Sequence, residues 1–174
     1  MDIVIETKRL YLREMNEDDV ESLSLFVHSR NRRIPDIEYA KKWIAWCLNS
    51  YKENGFGHLA VIYRETGEMI GSAGISMQFI DDEWKPEIGY HLRNDYHHQG
   101  LAKEMGIAIR DYFFNNFPFD ELYCYMEKEN AASYKTAESL GLTFLHLYEP
   151  KAGEIYRVYR ITRSEWNILS NAGN

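Results

Sequence analysis

The sequence predicts a mixed α/β (α+β) fold in which helices flank a central sheet, within one domain that spans residues 1–174. Segments with the two-residue period of strands alternate along the chain with segments that have the 3.6-residue period of helices. Of the 174 residues, 45% are hydrophobic and 14% are aromatic, which suffices for one core of ordinary size. We find no repeat, low-complexity tract or linker that would divide the chain.

The first third of the chain predicts one strand and two helices. The strand covers Arg9–Arg13, and Asn16 is placed to cap the first helix, whose opening turn is acidic, as the helix dipole favours. The second helix runs from about Asp36 to Tyr51. The inner faces of these two helices carry Val20, Leu23 and Val27 in the first, and Ala40, Trp43, Cys47 and Tyr51 in the second.

The rest of the chain predicts six further strands, so that a sheet of about seven strands is flanked by about four helices. Turns rich in Gly, Pro and Asp separate several of the strands, and a short helix follows the last one. The six strands are His58–Arg64, Met69–Phe79, Trp84–Leu92, Leu122–Met126, Thr143–Tyr148 and Ile155–Thr162.

The segment Glu87–Asn116 is the most informative part of the chain, because it predicts a strand, a turn and a long helix that begins near Gln99 or Gly100. The opening residues of this helix, His98–Lys103, present backbone N–H groups without helical partners, together with the positive end of the helix dipole. Such a helix start suits a phosphate or pyrophosphate. The helix face that packs on the sheet is formed by Leu101, Met105, Ala108, Ile109, Tyr112 and Phe113.

Residue size and charge around this helix start also suit an anion. A side chain at Gly100 would stand between the amides and the phosphate oxygens, and Ala102 keeps the next position small. Between His91 and Lys103, three histidines, one arginine and one lysine stand against a single acid, in a chain whose formal net charge is -7.

A second block follows the strand Leu122–Met126, and it predicts a short helix from Asn130 that a left-handed Gly141 closes. These two blocks, with Glu6–Arg13 and Gly67–Ser72, resemble the GNAT superfamily of acetyl-CoA-dependent N-acetyltransferases. More narrowly, they resemble the branch that acetylates N-terminal amines of ribosomal proteins. The resemblance covers about Ile5 to Arg160 and implies a mostly antiparallel sheet.

The resemblance implies that acetyl-CoA is the co-substrate and lies between the strands Ile88–Leu92 and Leu122–Met126. It further implies direct transfer of the acetyl group to a primary amine, an N-terminal amine of a protein or peptide above all. The alternatives are a small-molecule acetyltransferase acting on a polyamine, an aminoglycoside or an amino acid, and a catalytically silent acyl-CoA-binding module. The residues expected to contact the cofactor are Tyr90, His91, Leu92, His97, His98, Gln99, Gly100, Leu101, Ala102, Lys103, Asn130, Ser133 and Lys135. For Asn130 the alternative is a helix cap, and for Lys135 it is a surface lysine.

The resemblance to the GNAT superfamily also implies which groups take part in catalysis. The backbone N–H of Leu92 is the expected oxyanion donor, and Glu87 is the expected base, acting through water, with Glu127 as a second choice. A solvated strand-end charge is the alternative for Glu87. In many relatives a tyrosine protonates the leaving thiolate, but this chain has Ala137 at that position.

That departure transfers the role of proton donor to the hydroxyl of Ser133 or Tyr134. Each has a structural alternative, since Ser133 could bond a local carbonyl and Tyr134 could fill a gap in the core. His97 also departs from the family, which usually has Arg or Gln at the start of its phosphate motif. A metal site at His97 and His98 is disfavoured, because adjacent residues seldom aim both rings at one ion.

Composition excludes several other classes of protein. The acidic balance argues against a nucleic-acid partner, and the dense basic run Arg30–Arg33 is interpreted as a solvated loop, with a CoA-phosphate contact as the alternative. No stretch approaches the roughly 20 apolar residues of a membrane span, and no secretion signal is present. A cytoplasmic protein with reduced, buried Cys47 and Cys124 is expected, a nucleophilic Cys124 being the alternative; a homodimer is possible.

Overall fold

The computed structural model describes residues 3–27 and 35–172 and contains, within them, a mixed, mostly antiparallel sheet of eight strands with five α-helices. The strands lie in the order β1-β2-β3-β4-β5-β6-β8-β7. They are β1 (Ile3–Glu6), β2 (Leu10–Arg13), β3 (His58–Tyr63), β4 (Met69–Ile80), β5 (Glu83–Leu92), β6 (Glu121–Glu127), β7 (Thr143–Lys151) and β8 (Glu154–Thr162). The helices are α1 (Val20–Ser24), α2 (Ile37–Asn54), α3 (Leu101–Asn116), α4 (Ala131–Ser139) and α5 (Arg163–Ala172).

The predicted fold class is confirmed, with one strand more than the sequence indicated. The additional strand, β1, has only four residues and pairs antiparallel with β2. Of its two isoleucines, Ile5 is buried and Ile3 is exposed, so the alternating pattern is too short to be distinctive. The basic run Arg30–Arg33 lies outside the described residues.

Local capping signals position the helices as expected. Asn16 Oδ1 accepts a hydrogen bond of 2.9 Å from the Asp18 amide, although the turn it caps is a 3₁₀ turn, Glu17–Asp19, that leads into the short α1. Asp36 caps α2 by accepting from the Tyr39 amide at 3.1 Å. Gly141 follows α4 with φ of +87°, the left-handed conformation that the sequence predicted.

The described residues fall into two compact units, one within Met1–Ser76 and Gly89–Ile109 and the other within Met77–Ile88 and Arg110–Asn174. In the first unit, α1 and α2 pack on β2, β3 and β4. The buried side chains of this packing include Met15, Leu23, Val27, Ala40, Ile44, Cys47, Ala60, Ile62 and Met69.

In the second unit, Arg163 ties α5 to the end of α3. Its guanidinium donates to the carbonyl oxygens of Phe114 at 2.6 Å, Phe117 at 2.6 Å and Phe119 at 2.8 Å. The last carbonyls of a helix have no partner within the helix, so the bond to Phe114, in the last turn of α3, caps that helix. The indole of Trp166 stacks on Phe114, with ring centroids 5.2 Å apart.

Both cysteines are buried as expected, and no disulfide joins them. Burial raises the pKa of the Cys47 thiol to about 12, partly offset by a hydrogen bond with the backbone of His58. Cys47 is therefore an inert core residue. None of the helices in the described ranges is long and apolar enough to cross a bilayer.

Candidate active site

The start of α3 in the first unit has the geometry of an anion site. β5 ends at Leu92, a 3₁₀ turn covers Asn94–Tyr96, and α3 begins at Leu101. Two residues of the connecting loop have left-handed backbones, His98 with φ of +59° and Gly100 with φ of +75°. A concave turn of this kind directs successive backbone N–H groups toward one point.

The first amides of α3 are available to a ligand. Among residues 3–27 and 35–172, the amides of Leu101, Ala102 and Lys103 have no hydrogen-bond acceptor, and the helical ladder begins with the Glu104 amide donating to the Gly100 carbonyl at 3.1 Å. With the positive end of the helix dipole behind them, these three donors suit a phosphate group.

Gly100 is required here by its conformation more than by lack of space. A β-carbon added at Gly100 would meet only the Arg9 Nη2 atom, at an ordinary contact distance of 3.7 Å. The positive φ, in contrast, is one that side chains other than glycine adopt only at a cost. The glycine therefore determines the direction of the amides that follow it.

Arg9 and Glu104 hold this loop in place through hydrogen bonds. One Glu104 oxygen accepts from the Thr7 hydroxyl at 2.7 Å and the Arg9 amide at 2.8 Å, and the other accepts from Arg9 Nε at 2.7 Å. Arg9 Nη1 in turn donates to the Gln99 carbonyl at 2.9 Å. Burial acts to raise the pKa of Glu104, but the hydrogen bonds from Thr7 and Arg9 outweigh it, so that the pKa lies below its usual value.

The end of β5 is held on both sides. The Arg93 amide donates to the Ile70 carbonyl of β4 at 2.8 Å, and the His97 ring contacts the Leu92 carbonyl through Nε2 at 3.0 Å. At Gly71 of β4, a β-carbon would lie only 2.4 Å from the His91 carbonyl oxygen. These contacts fix the position of Leu92, the residue whose N–H the sequence analysis assigned to the oxyanion.

The polar side chains of the loop are partly engaged within the protein. Arg93 pairs with Asp95 at 2.6 Å, an interaction that raises the pKa of the arginine, and Gln99 Nε2 donates to the Asp95 carbonyl at 3.0 Å. His97 has one ring nitrogen committed to Leu92. Of the basic side chains predicted to meet phosphate, His98 and Lys103 are exposed at the surface.

In the second unit, Asn130 caps α4 by accepting from the Ser133 amide through Oδ1 at 3.2 Å. The cap was the alternative that the sequence left open for Asn130, and its side-chain nitrogen remains compatible with a ligand contact. Ser133 is half-buried and Lys135 is exposed. Ala137, which replaces the tyrosine of many relatives, is fully buried.

Tyr134 is covered by an arginine. The Arg157 guanidinium lies 4.8 Å from the centre of the Tyr134 ring and 5.8 Å from that of Phe144, and Arg157 Nε donates to the Lys128 carbonyl at 3.0 Å. A cation over an aromatic face is a stabilising contact. Arg157 thereby ties the start of α4 to β8.

Glu87 is not a solvated strand-end charge, because it lies inside β5 and is only 7% exposed. It pairs in register with Tyr123 of the parallel strand β6. Its carboxylate also lies within electrostatic reach of Tyr125, whose pKa is raised by burial first and by Glu87 second. Sequence analysis missed Tyr125, since a tyrosine on a strand carries no local signal of its neighbours. Glu127, the second choice as base, is exposed at the end of β6.

A known family accounts for the fold. Residues 9–143 match the model of the acetyltransferase (GNAT) domain family. The chain belongs to the GNAT acetyltransferases. GNAT acetyltransferases are acyl-CoA-dependent N-acetyltransferases, so the chain is an acyltransferase. Within the described ranges, no group of three or more His, Cys, Asp and Glu side chains is arranged to hold a metal ion.

Individual GNAT proteins show the same likeness. An uncharacterized N-acetyltransferase, p20 of Bacillus licheniformis, is 29% identical over 164 residues, covering 88% of this chain and 91% of p20. The solved acetyltransferase from Agrobacterium tumefaciens str. C58 has a TM-score of 0.77 and 27% identity, covering 92% of this chain and 94% of that one. A ribosomal L7/L12 alpha-N-protein acetyltransferase in complex with coenzyme A has a TM-score of 0.74 over 92% of this chain and 98% of that one; at 15% identity it shows the fold alone.

Proposed function

We propose that this GNAT protein transfers the acetyl group of acetyl-CoA directly to a primary amine, and that its acceptor is the N-terminal amine of a peptide or protein. The observation that carries the proposal is the start of α3, where the amides of Leu101–Lys103 have no acceptor among the described residues. A pyrophosphate fits these donors, because a helix N-terminus favours negative charge.

The proposal assigns the remaining cofactor contacts to residues around these amides and on α4. Gln99, Gly100 and the exposed Lys103 belong to the phosphate loop, with His97 and His98. Asn130, Ser133 and Lys135 are assigned to the same cofactor. The cofactor supplies an acetyl thioester, and the chemistry of the protein's own groups follows from that.

In the proposed transfer, a bond forms between the amine nitrogen and the acetyl carbon as the bond from that carbon to sulfur breaks. The Leu92 N–H would stabilise the oxyanion. The buried Glu87 would take the proton that leaves the amine, through water, and the hydroxyl of Ser133 or Tyr134 would donate a proton to the thiolate. Each proton transfer in the proposal therefore has a named donor or acceptor, and none of them needs a metal or a redox partner.

The preference for an α-amine rests on acid–base chemistry, since only a neutral amine attacks a thioester. Near pH 7, deprotonating a lysine side chain with a pKa near 10.4 costs about 4.6 kcal/mol, whereas an α-amine with a pKa near 8 costs about 1.4 kcal/mol. A neighbour of the same fold is named an alpha-N-protein acetyltransferase, so the fold can accommodate such an acceptor.

Two other functions would use the same fold. A small-molecule acetyltransferase would act on a polyamine, an aminoglycoside or an amino acid. A catalytically silent acyl-CoA-binding module is favoured by one observation, the buried Ala137 at the place where many relatives carry their proton donor.

Release of free thiol from acetyl-CoA, measured across a panel of peptides and small amines, separates these functions. The proposal predicts thiol release with peptides that have a free N-terminus, and none with the same peptides blocked at the N-terminus. A shift of the melting temperature by CoA without thiol release from any amine would favour the silent module. No thermal shift with CoA would disprove the anion site itself.

A further inference from the structure

Four aromatic side chains of the first unit form a continuous wall, which we call the aromatic wall: Trp43 and Trp46 of α2, His58 of β3 and His91 of β5. The Trp43 ring centroid lies 5.4 Å from those of Trp46 and His58, and 5.6 Å from that of His91. Trp43 meets both histidines edge to face, at interplanar angles of 89° and 86°. Trp46 lies 5.7 Å from His58.

One of the two histidines in the wall is a buried, uncharged ring. His58 is 3% exposed, and burial first, with the nearby His91 second, lowers its pKa to about 3, so that its ring is neutral. Its Nδ1 lies 3.4 Å from the hydroxyl of the buried Ser72. None of the four side chains of the wall is a carboxylate, which would pair with an ammonium ion.

Part of the wall is exposed to solvent, and one of its buried N–H groups lacks a hydrogen-bond acceptor among the described residues. Trp46 is 39% exposed, and His91 is exposed as well. Within the part of the chain that the structure describes, the buried Trp43 Nε1–H has no hydrogen-bond acceptor. A large exposed aromatic surface beside an unsatisfied buried donor is more typical of a binding site than of a finished core.

The wall also adjoins the strand end assigned to the reaction. His91, a member of the wall, directly precedes Leu92 in β5. The close approach of β4 at Gly71 holds both residues in place. A group that lies against the His91 ring is therefore one residue along β5 from the proposed oxyanion donor.

We infer that the aromatic wall is a subsite for the acceptor, and that it selects primary amines whose neighbouring carbon carries an aromatic or large aliphatic group. The inference rests on the proposed acetyl transfer and names the class of amine. Burial of that group against Trp46 removes apolar surface from water, and an apolar group that displaces water from beside the amine disfavours its charged form, which must lose its proton to react. A polyamine, with a second charge at the far end, gains neither advantage.

The test compares matched acceptors. Two peptides differ only in their first residue, Phe or Ser, and two free amines, 2-phenylethylamine and ethanolamine, repeat the contrast without a peptide; putrescine supplies the polyamine. We expect kcat/KM to favour the apolar member of each pair by about tenfold or more. If only the peptide pair shows the preference, the apolar group must be the side chain of an N-terminal residue. If both pairs show it, the apolar group is sufficient without a peptide.

Variants of Trp46 assign that preference to the wall. Trp46→Ala is expected to remove most of it by raising KM for the apolar acceptor with little change in kcat, as the loss of uniform binding does, and Trp46→Phe is expected to restore much of it. Trp84→Ala is the matched control, because Trp84 is 66% exposed and lies outside the wall. The thermal shift with CoA verifies that each variant is folded.

Three outcomes would overturn the inference while leaving the proposed function intact: equal use of both members of each pair, a preference for putrescine, or a Trp46→Ala loss of the same size for every acceptor. Failure to acetylate any amine would instead reject the proposed function, and the inference with it.

Discussion

His58 shows how burial determines the protonation state of a single side chain. The folded protein holds the ring neutral because its pKa is lowered to about 3, whereas in the unfolded chain the ring titrates near its ordinary value of 6.5. Between these values the unfolded chain binds more protons, so the free energy of unfolding decreases as the pH falls from 6.5 toward 3. His58 therefore contributes to acid sensitivity.

Replacing His58 with glutamine tests this contribution. The glutamine stays neutral and can still hydrogen-bond Ser72. When the pH is lowered from about 7.5 to about 5, we therefore expect the free energy of unfolding to fall by about 2 kcal/mol less in His58→Gln than in the wild type. Urea unfolding at the two pH values measures the difference. His98→Asn, at an exposed histidine, is the control and should follow the wild type. Equal pH dependence of His58→Gln and wild type would show that the ring is not held neutral.

Single residues also show which contacts could be predicted from the sequence and which could not. The capping role of Asn16 could be predicted, because its bond to the Asp18 amide spans two residues along the chain. The burial of Glu87 and its proximity to Tyr125 could not, because β6 lies more than thirty residues further along the chain. Only the folded sheet brings such residues together.

At the scale of elements, the loop between β5 and α3 determines the direction of the phosphate-binding amides. Gly100 and Gly67 both have a positive φ, +75° and +72°, and neither has a crowded β-carbon position. Gly67 lies in the turn between β3 and β4, outside the loop that leads into the amides. The two glycines therefore form a matched pair.

Changing either glycine to alanine should cost about 1 kcal/mol of stability, because the backbone strain is the same. Only Gly100→Ala should weaken CoA binding, by about tenfold or more, since relief of the strain would turn the amides of Leu101–Lys103 away from the phosphate. Calorimetric titration with CoA and urea unfolding measure the two effects. An equal loss of CoA affinity in both variants would mean that the loop does not direct the amides.

The far end of α3 depends on Arg163. Arg163→Ala removes the guanidinium that donates to the carbonyl oxygens of Phe114, Phe117 and Phe119, and we expect a loss of about 2–3 kcal/mol in the free energy of unfolding. Arg163→Lys should recover only part of it, because an ammonium lacks the planar fork. Affinity for CoA should be unchanged. A loss below about 0.5 kcal/mol in urea unfolding would show that the cap contributes little.

The order and type of most elements could be predicted because periodicity and turn residues are local signals, and Gly141 gave the end of α4. The contacts between elements could not. Arg9 and Glu104, which brace the phosphate loop, are 95 residues apart. The rings of Trp43, His58 and His91 come from three different elements, and the sequence analysis interpreted Trp43 as a core residue only.

At the scale of the whole molecule, the family match and the geometry of α3 support the same cofactor by independent routes. The match covers residues 9–143, and the free amides of α3 lie within it. The net charge of -7 is compatible with a cationic acceptor and opposes binding to nucleic acid. Both observations support acetyl-CoA as the donor in the proposed acetyl transfer to an α-amine.

Mass spectrometry of a single peptide tests that claim most directly. The peptide carries a free N-terminus and one internal lysine, and it is incubated at about pH 7 with acetyl-CoA and the protein, with heat-denatured protein as the control. We expect one acetyl group on the N-terminal amine and none on the lysine, with an equal amount of free thiol. Acetylation of the lysine alone, or no acetylated peptide at all, would contradict it.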